Sequence, residues 1–100
     1  MLIWIPVESS NELASKVTKL MNVKEWALID FDDGKIQSLA FHKSREDFTD
    51  WVDFVILLDK YESYIDFMNE GMMVLCIRKE ETISQVIEAF VFKELDEVGF

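Results

Sequence analysis

Apolar positions along this chain follow two alternating rhythms: short unbroken runs, and stripes spaced three or four residues apart. Leu2-Ile3-Trp4-Ile5 is an unbroken run closed by Pro6, the pattern of a strand buried on both faces. Pro6 has no amide donor, so it suits a strand end. Leu13, Val17, Leu20 and Met21 then fall on one helical stripe, preceded by Ser9 and Glu12 at capping-box spacing, and predict a short amphipathic helix. Trp26–Phe31 and Ile36–Phe41 flank Asp32-Asp33-Gly34-Lys35. Asp-Gly between two strand-like runs predicts a hairpin, because a type I′ turn needs positive φ at both central residues.

Ser44 and Asp47 have capping spacing ahead of Phe48, Trp51 and Val52, which predicts a second helix of about two turns. Phe54–Leu58 is another apolar run. Tyr61, Tyr64, Ile65 and Met68 recur at helical spacing, with Gly71 where a left-handed cap is wanted. Met72–Ile77 is a further apolar run. Thr82 and Gln85 form a capping box for a last helix whose buried face is Ile83, Val86, Ile87, Phe90 and Val91. Residues 94–100 are expected to fray. Apolar strands joined through helices imply parallel neighbours, and the hairpin implies an antiparallel part. The expected fold class is α/β, a three-layer α/β/α arrangement around a mixed five-stranded sheet.

Half of the 100 residues are apolar and 13% are aromatic, enough for one domain with a real core and far from a disordered composition. A domain of this length buries roughly 65% of the surface its unfolded chain exposes. Twenty acidic against ten basic residues give a net charge of −10, a field that repels phosphate and argues against nucleic acid or anionic lipid as a partner. No apolar run approaches the roughly 20 residues needed to span a bilayer, and the N-terminal run has no basic region before it. The expectation is a cytoplasmic protein with no membrane association.

The element order, taken with particular residues, resembles the family of nitrogenase iron–molybdenum cofactor biosynthesis and carrier domains. The resemblance rests on Ile3-Trp4-Ile5-Pro6-Val7, on Asp32-Asp33-Gly34-Lys35-Ile36 and on Val52-Asp53-Phe54-Val55-Ile56. It continues in Asn69-Glu70-Gly71 and in Thr82 through Glu88-Ala89-Phe90. It implies a ribonuclease H-like fold with sheet order 3-2-1-4-5 and strand 2 antiparallel. It also implies binding of an iron–sulfur or iron–molybdenum cluster, or protein contacts made while such a cluster is handed over. Two loops depart from the family pattern. Leu20, within Thr18–Asn22, stands where such domains usually carry a histidine. Leu58–Ser63 has no glycine where a glycine-rich turn usually lets an anionic cofactor approach.

Candidate chemistry is sparse. Cys76 is the only thiol and His42 the only imidazole, whereas a structural zinc or an iron–sulfur cluster wants several such ligands, typically four. Cys76 is expected in the core and His42 at the surface. Under the implied order, the order of the strands reverses between strands 1 and 4, where open α/β sheets bind ligands. The residues placed there are Glu8, Ser9 and Ser10 after the first strand and Asp59 and Lys60 after the fourth, with Glu80 or Glu81 nearby. Three carboxylates in that crevice would suit a hard cation; acids that stabilise helix N-termini give the same pattern, and no metal is expected.

A nuclease is excluded, since the first strand offers no carboxylate to hold magnesium. No base lies within sequence reach of Ser9 or Ser10, so nucleophilic catalysis lacks its partner. Met72-Met73 belongs to the core, and Phe92 falls outside the last helix's apolar stripe, where with Val98 and Phe100 it would seed a homodimer or partner contact. These readings lead to a non-catalytic accessory or interaction domain, related to nitrogenase cofactor biosynthesis proteins, that has lost its cluster-binding loops and carries no cofactor. The alternative is a carrier of a small ligand, metal or iron–sulfur cofactor in the crevice between strands 1 and 4.

Overall fold

The computed structural model describes residues 1–99. Six strands form one sheet: β1 (Leu2–Val7), β2 (Glu25–Asp32), β3 (Lys35–His42), β4 (Phe54–Leu57), β5 (Met73–Cys76) and β6 (Asp96–Glu97). Two α-helices, α1 (Ile65–Asn69) and α2 (Ile83–Val91), complete the regular structure. The sheet order is β3-β2-β1-β4-β5-β6. β2 runs antiparallel to both β1 and β3, β1, β4 and β5 are mutually parallel, and β6 returns antiparallel to β5. The expected five-strand order with its antiparallel second strand is therefore present, extended by a sixth strand.

Alternation along each strand divides the core in two. Ile3, Ile5 and Val7 point to the face covered by α2, with Ala27, Ile29, Ile56, Ile83 and Val86. Trp4, Trp26, Leu28, Val55, Leu57 and Val74 point to the other face, against Phe67 of α1. The β2–β3 turn is the predicted type I′, with φ of 51° at Asp33 and 75° at Gly34. The predicted capping box at Thr82 and Gln85 is complete. Gly71 takes φ 90°, and the Trp51 ring lies where its Cβ would stand.

Several expectations need correction. The stretch 9–21 forms no helix: single 3-10 turns occur at Glu12–Ala14 and Leu20–Asn22. Between them the backbone extends and pairs Val17 with Val7 and Lys16 with Thr82, leaving Leu13 and Met21 exposed. The second expected helix is likewise one turn, Arg45–Asp47, capped by the Ser44 hydroxyl, which accepts from the Glu46 amide at 3.2 Å. In the last helix Val91 is 42% exposed, outside the buried face, and of the Met72-Met73 pair expected in the core only Met72 is buried, Met73 facing solvent at 46%.

The end expected to fray from residue 94 instead supplies β6. Leu95 enters one core and Val98, 3% exposed, enters the other, while the Val98 amide donates to the Val74 carbonyl at 3.0 Å. Val98 is thus unavailable for the expected surface contact, and Phe100 lies outside the described residues. Among the described residues no helix is long and apolar enough to cross a membrane.

Candidate functional site

The point where strand order reverses lies between the carboxyl ends of the parallel strands β1 and β4, and the chain itself crosses it. After β1 the backbone turns and runs back, so that the Thr18 amide donates to the Pro6 carbonyl at 3.0 Å and the Lys24 amide to that of Val7 at 3.1 Å. The same segment is stitched to the loop after β5: the Val17 amide donates to the Glu81 carbonyl at 2.8 Å, and the Ile83 amide to that of Ser15 at 3.0 Å. From the loop after β4, both carboxylate oxygens of Glu62 accept from the Leu20 amide at 3.2 Å. Val17 and Ser15 are buried as a result.

This stitching removes the donors that a crevice ligand would use. A helix N-terminus binds anions through its unpaired amides. At α2, the Ile83 amide is held by Ser15, and the Gln85 amide donates to the Thr82 hydroxyl at 3.3 Å. Gln85 Oε1 in turn accepts from the amides of Glu81 and Thr82 at 2.8 and 3.1 Å.

The five residues expected to line the crevice are not gathered around one cavity. Glu8, Ser9 and Ser10 are exposed, and Ser10 lines a shallow cleft with Leu13, Ile36, Leu39 and Phe41, under β3 on the α2 face. Asp59 turns to its own loop and accepts from the Tyr61 amide at 2.8 Å. Lys60 extends so that its ammonium lies 5.4 Å from the Tyr61 ring centre. Glu80 likewise serves its own loop, accepting from the Arg78 amide at 2.9 Å. Burial opposes its ionisation, but the amides of Arg78 and Lys79 outweigh that and hold the carboxyl below the usual range. No group of three or more His, Cys, Asp or Glu side chains converges as a metal site would require, among the described residues.

The two soft ligands are committed elsewhere. Cys76 is buried at the end of β5 opposite Leu57. Burial pushes its thiol up from the ordinary value, Asp96 and Asp59 add to that, and Lys60 and Arg78 oppose it, so the nucleophilic thiolate is scarce. His42 is half-buried rather than at the surface. Its ring packs 5.7 Å from Trp4 and 6.1 Å from Phe48, on the α1 face.

Two recesses elsewhere were missed by sequence reasoning. One, about 500 Å³, is lined by Trp26, Ser44, Phe48 and Thr49 around an Arg45–Glu70 pair. Arg45 donates two parallel hydrogen bonds to Glu70, both 3.1 Å, and its guanidinium lies 4.5 Å from the Phe67 ring centre and 5.5 Å from that of Trp26. The fork ties the β3–β4 connection to the end of α1. Nothing local in Ser44-Arg45-Glu46 announces it, because both aromatic partners lie about twenty residues away in sequence. The other, an apolar cleft of about 530 Å³, opens beside the C-terminal end of α2. Phe31, Phe54 and Phe90 form its floor, with Phe90 packed edge-on at 5.6 and 5.0 Å from the other two. Its sequence signal was Phe92, placed off the α2 stripe.

No family model matches the sequence, and no curated protein sequence matches it. The fold, however, has close counterparts among solved structures. A crystal structure of a candidate dinitrogenase from Methanocaldococcus jannaschii superposes with a TM-score of 0.74 at 14% identity, over 99% of this chain and 95% of that one. An NMR structure of a candidate NifB protein of the DUF35 family from Thermotoga gives 0.69 at 18% identity, over 99% and 95%. The crystal structure of a protein called PH0822 gives 0.76 at 18% identity, over 97% and 96%. At these identities the likeness is one of fold.

Proposed function

We propose that this protein is a nitrogenase-related accessory domain, non-catalytic, that works through protein contacts and does not grip a metal cluster. The observation that carries the reading is the occupied crevice mouth. The amides of Val17, Leu20, Ile83 and Gln85, which a cluster or anionic ligand would need, are already bonded to Glu81, Glu62, Ser15 and Thr82. The burial of Cys76 and the aromatic packing of His42 point the same way. The nitrogenase connection is supported by the names of the fold's counterparts, a candidate dinitrogenase and a candidate NifB protein. Fold likeness sets the setting and not the activity.

The test is anaerobic reconstitution with ferrous iron and sulfide, followed by desalting and an absorbance scan. The expected result is no stoichiometric chromophore. A stoichiometric chromophore that disappears in Cys76→Ala would overturn the proposal and make the protein a cluster carrier.

A further inference from the structure

The large apolar side chains left exposed by the fold include Met1, Met73, Val91 and Phe92. Met1, Met73 and Val91 line the apolar cleft beside α2, and Phe92 lies between two of its lining residues, Val91 and Lys93. We propose that this cleft is the interface of a homodimer in which Phe92 of each copy enters the cleft of the other. The proposal does not depend on the functional reading above.

Three features make the surface self-complementary. The cleft, about 530 Å³, has an apolar floor of Phe31, Phe54 and Phe90, already packed edge to face, a geometry in which another ring is readily accommodated. The projecting group adjoins the cleft's wall in sequence: Phe92, between the lining residues Val91 and Lys93, is 68% exposed at the end of α2. A two-fold axis near that wall sets each projection opposite the other copy's recess, as an isologous contact requires. The lining carries one charged side chain of each sign, Lys93 and Glu97; neither forms an ion pair among the described residues, whereas the Met1 ammonium, also at the cleft, is paired with Asp30. A two-fold placing Lys93 of one copy against Glu97 of the other forms the pair twice. Lys93 is held there by a left-handed backbone, φ 57°, with its amide donating to the Phe90 carbonyl at 3.2 Å and that of Glu94 to Ala89 at 2.8 Å. An unrelated partner requires no such match of projection, recess and charge on one patch.

Each copy carries a net charge of −10, so the two repel at long range and association tightens as salt screens them. Sedimentation velocity across a protein concentration series, at low and raised salt, is the measurement. Wild type is expected to show a concentration-dependent dimer favoured by salt. Phe92→Asp should weaken it about tenfold or more, the scale of an interface anchor, with an unchanged melting temperature at dilutions where wild type is monomeric, because the ring is mostly exposed. Lys93→Glu and Glu97→Lys should each weaken association, and the double variant should restore it, a recovery that misfolding cannot produce. A wild-type chain that stays monomeric up to about 1 mM overturns the proposal. So does a dimer indifferent to Phe92→Asp, a double variant no better than the singles, or a monomer whose native mass spectrum shows a small apolar molecule instead of a second copy.

Discussion

Arg45 fastens the connection between β3 and β4, and replacing it by Ala tests how that long crossing is held. Its side chain is 24% exposed and that of Glu70 48%, so the ion pair works in partly wet surroundings. Discounted for solvent, a bidentate pair of this kind contributes about 0.5–1 kcal/mol. The guanidinium over Phe67 at 4.5 Å and Trp26 at 5.5 Å adds about 0.5–1 kcal/mol. The aliphatic stem lying on the same rings adds a similar amount, about 0.5 kcal/mol. Arg45→Ala is therefore expected to cost about 2 kcal/mol, a fall in melting temperature of about 10 °C for a domain this size. Arg45→Lys keeps a charge but loses the planar fork, and should cost about half as much. Glu70→Gln should cost no more than about 0.5 kcal/mol. Urea titrations read by tryptophan fluorescence give each value, and the Arg45/Glu70 double-mutant cycle isolates the pair. Its coupling should shrink in 1 M salt, where the screening length falls to about 3 Å. An Arg45→Ala variant within about 0.5 kcal/mol of wild type, or a cycle with no coupling at low salt, would refute the account of this fork as the connection's anchor.

Two further outcomes follow from the closed mouth and the added strand. Burial lifts the Glu62 carboxyl above its ordinary 4.5, and Asp59 adds to this, against the Leu20 amide and Lys19. The folded state therefore holds more protons than the unfolded chain just above that value. The stabilisation is complete below pH 4.5 and is lost as pH rises through the folded pKa. Glu62→Gln keeps an acceptor for Leu20 without titrating, so wild type's advantage over it should shrink as pH rises above 4.5; urea melts showing a constant or widening gap would contradict this. Val98→Ala removes two buried methyl groups from the α1-side core and should cost about 2 kcal/mol. A neutral result by the same titration would show that β6 is not docked.

Where local chemistry and tertiary context agreed, the chain was readable. Asp33-Gly34 specified its turn because few residues accept positive φ twice in succession. Thr82 and Gln85 specified the start of α2 because both halves of the cap lie three residues apart. The unbroken runs at Leu2–Ile5 and Phe54–Leu57 marked buried central strands. The switch point between β1 and β4 follows from the strand order, which is the one expected.

What fills that place was decided elsewhere. Leu13, Val17, Leu20 and Met21 have a helix's spacing, but an isolated helix so short is marginal in water. The backbone gained more by bonding to Pro6, Val7, Glu81 and Glu62, partners up to 64 residues away (Val17 to Glu81). Likewise Asp96 and Glu97 carry no apolar signal of a strand; they pair through main-chain atoms while Leu95 and Val98 anchor either side. Sequence alone determined the layered scaffold, because burial period, turn chemistry and capping are local properties. Only tertiary structure decided that the mouth is closed and the end is docked, because those depend on which distant backbone groups remain unpaired once the sheet has formed.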